Sequence, residues 1–129
     1  MRHHYNRLLE LNTGIQKKSN VLRNLITSLL REKRISTTPK RAKVLKYEIE
    51  KLFAKLVRTY KRYENKEDSL REVKRILTAI VYDKAVIDEI IESKLLPYIE
   101  ENRVSWYARS YRVGIRKGDS VEKIMVELV

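Results

Sequence analysis

The sequence predicts an α+β fold: about four helices packed on a small sheet with a C-terminal β-hairpin, preceded by a basic N-terminal arm. Three observations point there. Apolar residues recur every three or four positions from Leu22 to Leu95. After Asn102 the texture changes to β-branched and aromatic residues, with alternation near the end of the chain. Finally, 129 residues support one core rather than two, and 3 Gly with 2 Pro are too few for an all-β or low-complexity chain.

Residues 1–18 show little periodicity and scattered cations, and are read as an N-terminal arm that orders on a partner; residues 19–129 form the single globular domain. Leu22, Leu25, Ile26, Leu29 and Leu30 define a first helix, about Asn20 to Lys33. The β-branched RISTTP segment gives a short strand near Ile35. Thr38 then N-caps a second helix, with Pro39 at its first position. Ala42, Leu45, Ile49, Leu52, Phe53, Leu56, Val57 and Tyr60 form its apolar stripe, and it ends near Tyr63. Ser69 with Glu72 reads as the capping box of a third helix bearing Leu70, Val73, Ile76, Leu77 and Ile80. Asp83 caps a fourth, which carries Val86, Ile87, Ile90, Ile91 and Leu95 until Pro97 ends or kinks it. Val104 to Val113 and Lys123 to Val129 read as two strands joined by a turn at Gly118-Asp119, where Gly supplies the backbone freedom and Asp bonds its own backbone. A lone hairpin is marginal in water, so this one packs on the helices, with the strand near Ile35 as its third member.

The formal net charge is +12, and its distribution is uneven. Residues 1–62 hold 17 Lys/Arg against 4 Asp/Glu, whereas residues 64–101 hold 6 against 10. The stretch from Arg103 to Lys117 is basic again and has no acid. The second helix sets Lys40, Arg41, Lys43, Lys46, Lys51, Lys55, Arg58, Lys61 and Arg62 against only Glu48 and Glu50. Such segregation suits a polyanion on one face.

Other function classes fit less well. With 0 Cys there is no disulfide framework or thiolate chemistry. No apolar run reaches the ~20 residues of a membrane span, and the first residues do not resemble a signal peptide, so the chain is read as mature protein. His3 and His4 lack a third ligand at metal spacing, and no Gly-rich phosphate loop or nucleophile–base order is present. The reading is therefore not an enzyme, with no cofactor, no metal, no membrane and no small-molecule substrate. The chief rival is a basic helical DNA-binding module, against which the irregular arm and the hairpin argue.

The stretch RNLITSLLREKRISTTPKRAKVL, Arg23 to Leu45, together with the closing YARSYRVGIRKGDSVEKIMVEL, resembles the bacterial-type large-subunit ribosomal protein seventeen family. The matching positions of the closing block are Tyr107, Arg109, Gly114, Arg116, Gly118, Asp119, Glu127 and Leu128, in order and without a gap. Met1-Arg2-His3, Lys74-Arg75 and Asp83-Lys84-Ala85-Val86 extend the likeness over nearly the whole chain. The sequence departs from the family pattern in the arm, which carries Glu10 and Lys17-Lys18, and at Ser105-Trp106, where the family has Gly-Gly.

The resemblance implies a structural constituent of the large ribosomal subunit. Such a protein lies on large-subunit rRNA and on neighbouring ribosomal proteins near the tunnel exit, in the cytoplasm or in an organelle's ribosome. It also implies RNA contacts at the family-matched Arg2, His3, Arg23, Asn24, Thr37, Thr38, Lys43, Arg109 and Arg116. Charge placement alone adds Arg31, Lys40, Lys46, Arg58 and Arg112. For three groups two readings stand side by side. Thr38 is a simple N-cap or a cap that also touches RNA. Asn24 is a buried polar group or an RNA contact. Trp106, Tyr107 and Tyr111, interleaved with Arg109 and Arg112, form an RNA-facing surface or pack one side of their strand on the core.

Overall fold

The computed structural model describes residues 17–129. In order these form α1 (Lys18–Glu32), β1 (Arg34–Thr37), α2 (Pro39–Arg62), α3 (Lys66–Ile80), α4 (Lys84–Ile90), a π-helical turn (Ile91–Leu95), α5 (Leu96–Glu100), β2 (Ala108–Ile115) and β3 (Glu122–Leu128). The sheet is antiparallel with strand order β1-β3-β2, so the C-terminal strand lies between the early strand and its own hairpin partner. This is the predicted α+β architecture. Arg2 and His3 lie outside the described residues.

The core forms where the apolar helical stripes meet one face of the sheet. Leu45, Ile49, Phe53 and Leu56 of α2 are fully buried, as are Leu29 and Leu30 of α1 and Val73 of α3. On β3, Val126 and Leu128 point inward while Met125 and Glu127 lie on the other face, the alternation of a half-covered strand. Phe53, Tyr98 and Tyr107 make an aromatic knot: Phe53 meets Tyr98 edge-on at 5.4 Å and stacks on Tyr107 at 5.7 Å. Burial pushes the Tyr98 phenol up to about 12, with Arg103 partly offsetting it. Its hydroxyl donates to the Val129 carbonyl at 2.7 Å, which ties the last residue to α5.

Two local expectations are corrected and one is narrowed. α3 starts at Lys66, and Asn65 is its N-cap, accepting from the Glu67 N–H at 3.0 Å. Ser69 instead lies inside the first turn, buried, with its Oγ 2.9 Å from the Tyr60 carbonyl, 3.2 Å from that of Asn65 and 3.3 Å from that of Tyr63. Its hydroxyl thus stitches the α2–α3 corner rather than capping it. Of the two outcomes expected at Pro97, an end or a kink, the end is excluded: the helix continues to Glu100 after a distortion. The proline cannot donate to the i−4 carbonyl, and the backbone widens just before it: the Leu96 N–H bonds the Ile91 carbonyl, five residues back. Strand β2 begins at Ala108 rather than Val104, because Asn102 and Trp106 hold positive φ angles of 54° and 63° that no strand tolerates. Asp83 does cap α4 as predicted, accepting from the Ala85 N–H at 3.1 Å.

Candidate nucleic-acid interface

α2 sets the geometry of the basic surface. At 24 residues it is about 36 Å long. Its buried stripe faces the sheet and α3, which leaves the opposite side to solvent. There Lys43, Tyr47, Lys51, Lys55, Arg58 and Arg62 follow one another at three- or four-residue spacing, a single line down the helix. Among the described residues, Lys43, Lys46, Lys55 and Arg58 have no carboxylate partner; Arg58 donates to the Ala54 carbonyl of its own helix, and the Lys51 ammonium lies 5.1 Å from the Tyr47 ring.

The N-terminal end of this line opens into two clefts. The first, of about 310 Å³, lies between the β1–α2 joint and the hairpin turn, and gathers Thr37, Thr38 and Arg116 with Arg41 and Lys123, against one carboxylate, Glu122. Thr38 occupies the N-cap position of α2, but its side chain makes no capping bond and no acid stands in the first turn, so the expected cap is positional only. The helix start is therefore suited to an anionic oxygen. The second cleft, of about 470 Å³, runs between α2 and β2, with Lys43, Lys46, Tyr47 and Ser110 on its walls. Its floor includes Glu50, whose carboxylate accepts the Ala108 N–H at 2.9 Å and anchors the start of β2.

The hairpin arginines have a different setting. Arg109 pairs with Glu127, its register partner across β2 and β3; Arg112 pairs with Glu122 at 3.4 Å; and Arg116 grips Asp119 through both Nε and Nη2. All three arginines are exposed, but the Glu127 carboxylate is largely buried and Asp119 is held by two bonds; the Arg112–Glu122 pair, exposed on both sides, is the weakly held one. On α1, Arg23 donates to the Ile80 carbonyl at 3.1 Å and lies 4.1 Å over the Tyr82 ring, joining α1 to the end of α3. Arg31 faces Asp83 at 3.7 Å, and Asn24 is exposed, which removes the buried-polar reading. Tyr107 belongs to the core, while Trp106 and Tyr111 face outward.

Thr37, Thr38, Arg116, Lys43, Lys46 and Lys40 thus fall at one end of the molecule, Arg58 continues the α2 line, and Arg23, Asn24 and Arg31 lie on another helix. Arg41, Lys51, Lys55 and Lys123 share this surface and were not among the residues expected to meet RNA. The α2 spacing could have identified the first three, but Lys123 joins only through the hairpin.

Asp119 provides a pH test of the turn. The Arg116 hydrogen bond, helped by the Val121 N–H, holds its carboxyl down at about 2, against an ordinary 3.8. A depressed carboxyl stabilises the folded turn above the ordinary value, and that contribution is lost as pH falls through about 2. The Val121 amide resonance, followed by NMR from pH 5 to pH 1.5, is expected to titrate with a midpoint near 2. In Arg116→Gln that midpoint should move upward; an unshifted midpoint would dismiss the pairing.

Comparison with known proteins shows the family to which the chain belongs. The sequence model described as ribosomal protein L17 matches residues 21–129. The chain is 34% identical over 130 residues to the large ribosomal subunit protein bL17 of Fervidobacterium nodosum, covering 100% of this chain and 99% of that protein. It is 35% identical over 112 residues to the protein of the same name from Syntrophomonas wolfei, covering 87% and 88%. With the Desulforamulus reducens protein of that name it shares 34% over 119 residues, 92% of this chain and 94% of that one. Matches of this extent, over both the helices and the hairpin, show that the chain belongs to the ribosomal protein L17 family.

Proposed function

We propose that this chain is a structural constituent of the large subunit of a bacterial-type ribosome in the cytoplasm, where it supports translation. It binds large-subunit rRNA through its basic N-terminal half and its C-terminal hairpin, beside neighbouring ribosomal proteins near the tunnel exit. The observation that carries this reading is the continuous cationic line of α2 running into the two clefts at its start. Lysines and arginines in such a line replace counterions along a phosphate backbone, and release of those ions supplies most of the sequence-independent affinity. Thr37 and Thr38 add hydroxyls at the helix start, and Arg112 of the hairpin can exchange an exposed carboxylate for a phosphate. Arg23, Asn24 and Arg31 extend the contact along α1, and Arg2 and His3 do so from the arm. The reading assigns no catalytic role, and no helix among the described residues is long and apolar enough to cross a membrane.

The test is sedimentation of a source-cell lysate through sucrose at low and high salt, with the chain traced by mass spectrometry. Comigration with the large subunit through a high-salt wash is the expected result. Recovery with DNA in place of the subunit would transfer the basic surface to the DNA-binding alternative.

A further inference from the structure

The least expected surface follows directly on the acid-rich stretch 64–101. Between α5 and β2 the loop projects two large apolar side chains, Val104 at 84% exposure and Trp106 at 72%. Nothing about this loop is slack. The Arg103 guanidinium donates Nη1 to the Trp106 carbonyl at 2.8 Å and both Nε and Nη2 to Glu101, while its carbon lies 5.4 Å over the Tyr98 ring. The Tyr107 hydroxyl donates to the Arg103 carbonyl at 2.8 Å, and the Tyr107 ring is fully buried in the aromatic knot. These ties hold Trp106 at φ 63°, a region unfavourable for a bulky side chain. Backbone strain of this kind persists only where the surroundings over-determine it. The result is an exposed indole on a backbone already held in place, with little further backbone ordering to lose on contact.

The charge around it decides what can sit there. Glu100 and Glu101 are exposed beside the loop; the Glu101 carboxylate and the Arg103 guanidinium neutralise one another, which leaves Glu100 as the uncompensated charge of the loop's base. The preceding stretch, residues 64–101, holds 10 acids against 6 bases. The unpaired Glu100 favours a cationic side chain over a phosphate at this spot. Trp offers the most favourable ring face to an Arg or Lys side chain, and exposed Trp with an apolar neighbour is a frequent anchor of protein interfaces. A shallow depression of about 340 Å³ behind Val104 and Trp106 gives an apolar side chain of the partner somewhere to lodge.

We infer that the Val104–Trp106 loop, with Glu100 and Glu101, is a docking site for a Lys/Arg-rich segment of a neighbouring protein. A cation of that segment stacks on the Trp106 indole and a second faces Glu100. That the neighbour is another large-subunit protein rests on the function proposed above; the polypeptide nature and positive charge of the partner do not.

The test places the photo-crosslinker p-benzoylphenylalanine at Val104 in the full-length chain. Source cells are irradiated before lysis, and adducts are scored in every fraction of a sucrose gradient. The expected result is one dominant protein adduct, mapped by mass spectrometry to a segment of net positive charge. Its yield should fall about fivefold or more when Glu100→Lys is added, a change that leaves the Arg103 clamp intact, and likewise with Trp106→Ala. An adduct to RNA, an adduct to a neutral or acidic segment, no adduct, or a yield indifferent to Glu100→Lys would each overturn the inference. The gradient position answers the separate question. Cationic-segment adducts outside the large subunit would refute the ribosomal reading and spare the docking site, and RNA adducts within the subunit would do the reverse.

Discussion

Phe53→Ala is expected to lower the unfolding free energy by about 4 kcal/mol, the upper part of the range for truncating a buried aromatic. Phe53 is fully buried, and its ring is the shared member of two aromatic pairs, edge-on to Tyr98 and stacked on Tyr107. The truncation removes buried apolar surface together with both ring pairings, and the remaining walls are poorly placed to collapse. Tyr98 is held by the Val129 carbonyl and Tyr107 by that of Arg103, so neither can swing into the void without breaking a hydrogen bond. Domains of this size hold roughly 5–15 kcal/mol in total, so at least about a quarter of the margin disappears. Phe53→Leu keeps most of the volume and is expected to cost less than about 1.5 kcal/mol. Urea denaturation followed by circular dichroism separates the two. Near-equal losses would show that the two ring pairings, which both variants lose, carry the stability and that the volume Leu retains contributes little.

The same cluster shows how far sequence alone could reach. The periodic stripe of α2 marked Phe53 as core without ambiguity, because a 3.6-residue repeat over 24 residues admits one inward face. Tyr98 and Tyr107 were harder. One follows a proline, the other sits in an apparent strand, and their meeting depends on a π-helical turn and a loop with two positive φ angles, features set by tertiary packing. Ser69 failed for a related reason. A Ser-x-x-Glu pattern matches any helix start, and only the folded corner brings the carbonyls of Tyr60, Tyr63 and Asn65 to one hydroxyl. The hairpin was legible through Gly118-Asp119, but its arginines appeared unneutralised because their partners lie across the turn. Glu127 stands opposite Arg109 by antiparallel register, 18 residues away in sequence. The candidate site divides along the same line. The α2 cations follow from local spacing, whereas the cleft joining Thr37 and Thr38 to Arg116 requires strand β1 to pair with β3, a pairing no local pattern encodes.

Reversing three charges on the α2 line, Lys43→Glu with Lys51→Glu and Lys55→Glu, is expected to weaken binding to large-subunit rRNA by about 100-fold or more near 0.1 M salt. It should also flatten the dependence of log K on log salt by roughly 2 to 3, since each phosphate no longer neutralised removes about 0.7–0.9 from the slope. Folding should survive. All three side chains are exposed, and the stacking of Lys51 on the Tyr47 ring is a surface interaction worth about 0.5–1 kcal/mol. The decisive comparison is a second variant with the same change in net charge, Lys66→Glu with Arg71→Glu and Lys84→Glu, on the acidic half of the molecule. Arg71 already faces Asp68 at 3.6 Å, and α3 and α4 present the carboxylates that repel a phosphate backbone. A change there alters the total field without touching the line, so binding should fall only a few-fold and the slope should stay near that of the unmodified chain. Filter binding of the full-length proteins to purified rRNA across a salt series reads both quantities at once. If the two variants lose affinity equally, long-range charge governs association and α2 has no privileged role. If the slope changes only in the α2 variant, the phosphate contacts are local to that helix, and the segregation of charge between the two halves of the sequence is the physical basis of which face meets RNA.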